Sequence, residues 1–339
     1  MYLTYYSSPE IKEIILDEFA PGDLLRFGRT NRANSLLIVD YMLSRFSVDR
    51  FLGQFFTPLQ VQEFFLLLRH ADLLVNGLPV FHFLNRSIDR SRCLDLVVND
   101  SDTVVCFPWL ASAGYELYLP VDNAEWEEHE DAGSDHGDSE GGDENSVHSD
   151  DGEEIMLTNH TRSFSGAHDL VQGVIDFVKR GDKRDMFIRL AITKRTSIEV
   201  LLASKSTCAF NFISGSGIYS LYPDSTFDKQ LSLVIRNDSN DSVLSSAHTF
   251  ESMGFTSIEV PSILDRADHK SDFYAGETLS DGSDVIHVRY VGDTRCWRLP
   301  IPGATPSKYI VSWVLAYEGS EAHSVYTGVT PRGTSQHRD

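Results

Sequence analysis

Between residues 122 and 154 the chain carries fifteen Asp or Glu, no Lys or Arg, and almost nothing apolar. Such a run cannot bury enough surface to offset the entropy lost on ordering it. Any core must therefore be assembled from segments on both sides. We read residues 122 to 160 as a disordered acidic insert, with His129, His136 and His148 solvated rather than holding metal. The whole chain of 339 residues has a formal charge of -21, but outside 122 to 154 it holds 35 acids against 29 bases. That balance gives no basic face for a phosphate backbone or an anionic membrane, so no nucleic-acid and no membrane partner is expected. No apolar run approaches the ~20 residues of a membrane span. The opening residues show no basic stretch followed by an apolar one, which predicts a cytoplasmic or nuclear protein. The scattered Cys93, Cys106, Cys208 and Cys296 lack ligand or disulfide spacing and read as free thiols, with no metal and no cofactor expected.

Residues 8 to 70 read as helical. Pro9 suits a first turn, and Ile11, Ile14, Ile15 and Phe19 recur at helical spacing before Pro21-Gly22 ends the run. A second helix is expected from Asp23 as N-cap, and a third after Asn31 with Leu36, Leu37, Val39 and Met42 as its apolar side. Thr57-Pro58-Leu59-Gln60 has the pattern of a capping box ahead of a helix burying Val61, Phe64, Phe65 and Leu68.

Beyond residue 72 the pattern changes. Leu94 to Val98 reads as a strand, Phe107 to Ala113 as a helix stopped by Gly114, and Tyr115 to Leu119 as a strand. Leu170 to Val178 and Met186 to Thr193 read as a hairpin about a turn at Lys179 to Asp182, followed by a helix over Ile198 to Ala203. Val243 to Met253 reads as helix. Ser257 to Val260, Val285 to Tyr290, Cys296 to Leu299 and Tyr309 to Ala316 read as strands, and 319 to 339 as a flexible tail. The fold class expected is α+β.

Three groups of residues carry resemblances. Ser8-Pro9-Glu10-Ile11, Ile14-Ile15 and Gly22 to Arg32, which holds Asp23-Leu24-Leu25 and Thr30-Asn31-Arg32, resemble an F-box. The match departs from the family pattern at Ser8, where Leu is usual, and no Trp follows Arg32. The resemblance implies a docking surface on Pro9, Ile11, Ile14, Ile15, Leu24 and Leu25 for a Skp1-like adaptor, and an unknown protein substrate. The physical reading agrees: so short a block cannot bury both faces of every helix, and a leftover apolar face is a docking surface.

Next, Leu74 to Leu78 and Cys93 to Val98 resemble the nucleotidyltransferase fold. There a Gly-Ser turn opens a helix that cradles phosphates, and two Asp one residue apart on a strand hold divalent metal. Alternate strand residues share a face, so both carboxylates reach the same ions. Gly77 and Asp95 are retained, but Leu78 stands in the Ser position and Cys93 in that of the first Asp. Gly77 and Asp95 therefore read as a vestigial nucleotide site, with no catalytic residue and no metal.

Finally, Ile188 to Ile192, Ser197 to Leu202, Lys205 to Ile213, Tyr219 to Pro223 and the later Arg289-Tyr290, Gly292-Asp293 and Cys296-Trp297 resemble a group of fungal proteins. These join an F-box-like N-terminus (here 8 to 70) to a nucleotidyltransferase-like domain (here 71 to 318). Active transferases of this fold usually carry a third Asp near a position held here by Lys205 and Ser206. The function implied is that of an adaptor with a degenerate transferase domain; the alternative is a divergent nucleotidyltransferase or nucleotide-binding protein. Ser214 to Gly217 reads as a turn rather than a phosphate loop, His82 as a packing residue, and Arg86, Arg90 and Arg92 as a solvated basic loop.

Overall fold

The computed structural model describes residues 8–19, 21–87, 92–119, 170–182, 184–235, 249–259, 289–299, 301, 304, 309–318 and 321–331. The acidic stretch 122–160, most of the helix expected over 243–253 and Arg90 lie outside these residues. So do the side chains of Pro9 and Leu25.

Five helices open the chain: α1 (Pro9–Asp17), α2 (Pro21–Gly28), α3 (Arg32–Arg45), α4 (Val48–Leu52) and α5 (Pro58–His70). Side-chain caps fix the starts of α1, α3, α4 and α5. Asn31 accepts from the Asn34 N–H at 2.9 Å, and the Thr57/Gln60 box is closed in both directions. One expectation is corrected. Helix α2 starts at Pro21, two residues before the expected cap, and Asp23 sits in its first turn beside Arg26. On α3 the buried side is Asn34, Ile38, Tyr41 and Met42, while Leu36 and Val39 face outward.

The strands are β1 (Leu73–Asn76), β2 (Cys93–Asn99), β3 (Glu116–Leu117), β4 (Val171–Lys179), β5 (Met186–Thr193), β6 (Asn211–Ser214), β7 (Gly217–Ser220), β8 (Leu231–Leu233), β9 (Thr256–Ile258), β10 (Arg289–Tyr290), β11 (Trp297–Leu299), β12 (Tyr309–Glu318) and β13 (Glu321–Pro331). Helices α6 (Gly77–Leu84), α7 (Thr103–Ser112) and α8 (Ser197–Leu202) lie between them. The main sheet runs β11-β7-β6-β1-β2-β5-β4-β3, with β2–β5 as its parallel pair. β10-β12-β13 and β8-β9 form two smaller sheets. The chain is thus of mixed α and β content around a mixed sheet. The expected tail is corrected over residues 321 to 331, which pair with β12 from Glu318/Glu321 outward as β13.

The sheet separates two layers. Val75, Leu94, Leu96, Ile188 and Leu190 share one continuous core with Leu16, Leu24, Ile38, Phe46 and Phe64 of the opening helices. On the other face, Val97 and Ala191 meet Val200 of α8, while Phe212 and Tyr219 pack with Trp313 and Leu315. The helical block is therefore built into the α/β core. Cys93, Cys106 and Cys208 are buried, Cys296 is half-buried, and all four are free thiols. Burial pushes the Cys106 and Cys208 thiols up to about 12, which leaves both protonated and unreactive near neutrality.

Arg86 fastens the block to the sheet. It stands one residue past the C-cap of α6 at φ 54°, a left-handed position that glycine normally fills. Its guanidinium donates to the Leu16 carbonyl at 3.0 Å, to the Tyr41 hydroxyl at 2.7 Å and to the Phe19 carbonyl, so it ties down the end of α1. Arg86 is thus not the solvated loop residue expected. Arg86→Ala should cost about 2–3 kcal/mol in urea unfolding, the loss of charge-assisted hydrogen bonds. Arg86→Gly should recover about 1 kcal/mol of that by relieving the backbone; equal losses would show that the φ value carries no strain.

Candidate functional site

Strand pairing places Asn76 opposite Asp95, Asp95 opposite Arg189, and Arg189 opposite Asp176, along β1, β2, β5 and β4. Register partners leave a sheet on the same face, so these four side chains form one polar row across its middle. Local sequence explains each position. Asp95 alternates with Leu94 and Leu96, Arg189 stands inside Ile188 to Ile192, and Asp176 inside Val174 to Val178.

Arg189 is fully buried and holds Asp176 in a forked ion pair, Nε to Oδ1 at 2.9 Å and Nη2 to Oδ2 at 3.3 Å. Burial pulls the Arg189 pKa down, but the Asp176 hydrogen bonds and the fields of Asp176 and Asp95 outweigh it and hold the group above its ordinary value. The charge is therefore permanent. Removing one member of such a buried pair costs about 3–5 kcal/mol.

Asp95 itself is 1% exposed, so water does not offset its charge. The neighbouring Arg189 field and the start of α6 take the place of water. A Cβ built on Gly77 would lie 2.2 Å from Asp95 Oδ2, so the carboxylate rests directly on the first residue of that helix. This is the positive end of the helix dipole, where the resemblance implies a phosphate would sit. The Cys93 thiol lies 4.0 Å from Asp95 Oδ1, and burial with the Asp95 charge pushes its pKa far up. Gly77 and Asp95, paired by the sequence reading, are thus in contact. Arg189 and Asp176 are the members it missed. Among the described residues no group of three or more His, Cys, Asp or Glu is placed to hold a metal ion.

The other singled-out residues go elsewhere. Ser206 bonds Ser232 at 2.7 Å, and Lys205 is buried, with its carbonyl accepting from the Ile235 N–H. Ser214 to Gly217 is the β6–β7 turn, and a Cβ on Gly215 would lie 2.4 Å from the Leu68 carbonyl at the C-terminal end of α5. A site against the negative end of a helix does not suit phosphate. Arg289 sits 5.1 Å from the Tyr222 and Trp313 rings, paired with Asp293 at 2.6 Å, so these motif residues lock β10 to the core. His82 bonds Ser87 at 2.7 Å.

Of the expected docking residues, Ile11 and Ile14 are 50% and 64% exposed and Ile15 is half-buried. Leu24 is a correction: it is fully buried, in the same core as Ile38, while Asp23 and Arg26 take the outward side of α2. Leu36, Val39 and Leu43 add an exposed apolar stripe on α3.

Gly77 has φ 82°, so Gly77→Ala meets both a left-handed backbone and the Asp95 carboxylate. It should destabilise the fold by about 2 kcal/mol or more in chemical denaturation. In a double-mutant cycle with Asp95→Ala the two losses should be less than additive, since the clashing oxygen is gone; strict additivity would mean that the two do not touch.

No family model matches the chain, and no curated protein or solved structure matches it.

Proposed function

We propose that the protein is an F-box-like interaction protein, an adaptor that docks a Skp1-like partner through its opening helices, and that its α/β domain presents a surface for a protein substrate without transferring nucleotides. Ile11 and Ile14 on α1 carry this reading: they are large apolar side chains left at least half exposed on a block whose inner faces are well buried. Exposed Leu36, Val39 and Leu43 extend the apolar character to α3.

The pseudoenzyme half of the reading rests on the polar row. Two-metal transfer needs clustered carboxylates with charge to share. Here Asp176 is taken by Arg189, and Asp95 faces the same cation and lies on the helix start that a phosphate would need.

Two outcomes follow. The full chain should co-purify with a Skp1-like protein, and Ile14→Asp should abolish capture while leaving the circular dichroism melt unchanged, because Ile14 is exposed. Undiminished capture by the variant would remove α1 from the docking surface. Incubation with any of the four nucleotides and Mg²⁺ or Mn²⁺ should give no incorporation. Incorporation that disappears in Asp95→Asn would establish the divergent transferase instead.

A further inference from the structure

A cleft of about 530 Å³ opens where α3, α4 and α6 meet. Its size is that of a small-molecule pocket. The apolar wall is Pro79, Phe51 and Phe83, with the two rings 4.9 Å apart and Phe83 half-buried, so aromatic surface is offered to a ligand. The charged lining is Arg45, Arg50, Arg86 and Asp17.

Asp17 is already committed. It accepts from the Tyr41 hydroxyl at 2.7 Å and from Arg45 Nε at 2.9 Å. Burial pushes its pKa up, but these hydrogen bonds and the Arg45 and Arg86 charges outweigh it and hold the group ionised. One negative charge thus faces three positive ones. Arg86 is fixed by its bonds to α1 and Tyr41, so its position does not have to be organised on binding. Arg50 is exposed and makes no side-chain hydrogen bond or ion pair among the described residues. A net cationic pocket is a local exception in a protein with a formal charge of -21.

We propose that this cleft binds a small organic anion, a phosphate monoester carried on a flat apolar ring. The guanidiniums, Arg50 first, hold the phosphate, and the ring lies against Phe51 and Phe83. Guanidinium groups match phosphate oxygens in a two-pronged geometry, and arginine is weakly hydrated enough to do so beside an aromatic wall. The site is separate from the polar row and does not depend on the adaptor reading.

Phenyl phosphate is the probe, titrated into the full chain and followed by calorimetry and by ligand-observed NMR, with inorganic phosphate and benzyl alcohol as the two half-ligands. Saturable binding of phenyl phosphate is expected, at least tenfold tighter than either half-ligand. Arg50→Gln should weaken it about tenfold without shifting the thermal midpoint, because the exposed Arg50 side chain has no hydrogen-bond or ion-pair partner among the described residues. Phe83→Leu should weaken phenyl phosphate and leave inorganic phosphate unchanged. No saturable binding, equal affinity for inorganic phosphate, or full affinity in Arg50→Gln would each overturn the proposal.

Discussion

A permanent positive charge is buried in the middle of the main sheet, and the surrounding chemistry is arranged to hold it. Arg189 cannot be neutralised at any ordinary pH, so the fold must supply anions where an all-apolar sheet would supply methyl groups. Asp176 provides a forked pair from one neighbouring strand, and Asp95 provides a second negative field from the other. Asp95 in turn rests on Gly77, which has no side chain to displace it. The row therefore ties three strands, β2, β5 and β4, and the start of α6 together. It also determines what the resemblance to a transferase can mean. Carboxylates that could attract divalent ions are set around an internal cation, and the helix start that could accept a phosphate holds an internal carboxylate.

The opposite face of the sheet binds the opening helices. Leu16, Leu24, Ile38 and Phe64 join a core that continues through Leu94 and Ile188, so the helical block has no core of its own to unfold around. The same helices keep Ile11, Ile14, Leu36, Val39 and Leu43 outside. α1 and α3 are therefore apolar on two sides: the inner side stabilises the fold, and the outer side is left exposed. Arg86 connects these arrangements, since it ends α6 in a left-handed turn and reaches across to the last carbonyls of α1.

What was legible in the sequence was what is local. The capping box at Thr57, the cap at Asn31, the β2 strand and the β4–β5 hairpin are each written in a few neighbouring residues. The contact between Gly77 and Asp95 was legible only through the resemblance. The burial of Leu24 was not, because an eight-residue helix gives too few turns for periodicity to set its inner face. Which of the apolar residues of α3 face the core was not legible, because polar Asn34 and Tyr41 take core positions there, Asn34 bonding Thr30 and Tyr41 bonding Asp17. The ion pair could have been found. Counting three residues outward on each side from Lys179/Met186 at the hairpin end reaches Asp176 and Arg189, opposite charges in register inside apolar strands. The parallel pairing that sets Asp95 beside Arg189 was beyond reach, since nothing local links β2 to β5.

The claim that the row neutralises itself is open to direct measurement with Mn²⁺ as a spectroscopic probe. Titration of the full chain, followed by the electron paramagnetic resonance of free Mn²⁺, should show no loss of signal attributable to Asp95. The curve for Asp95→Asn should superimpose on that of the unaltered protein, any weak uptake by the acidic stretch being common to both. A saturable Mn²⁺ site present in the unaltered chain and absent in Asp95→Asn would contradict the self-neutralised row.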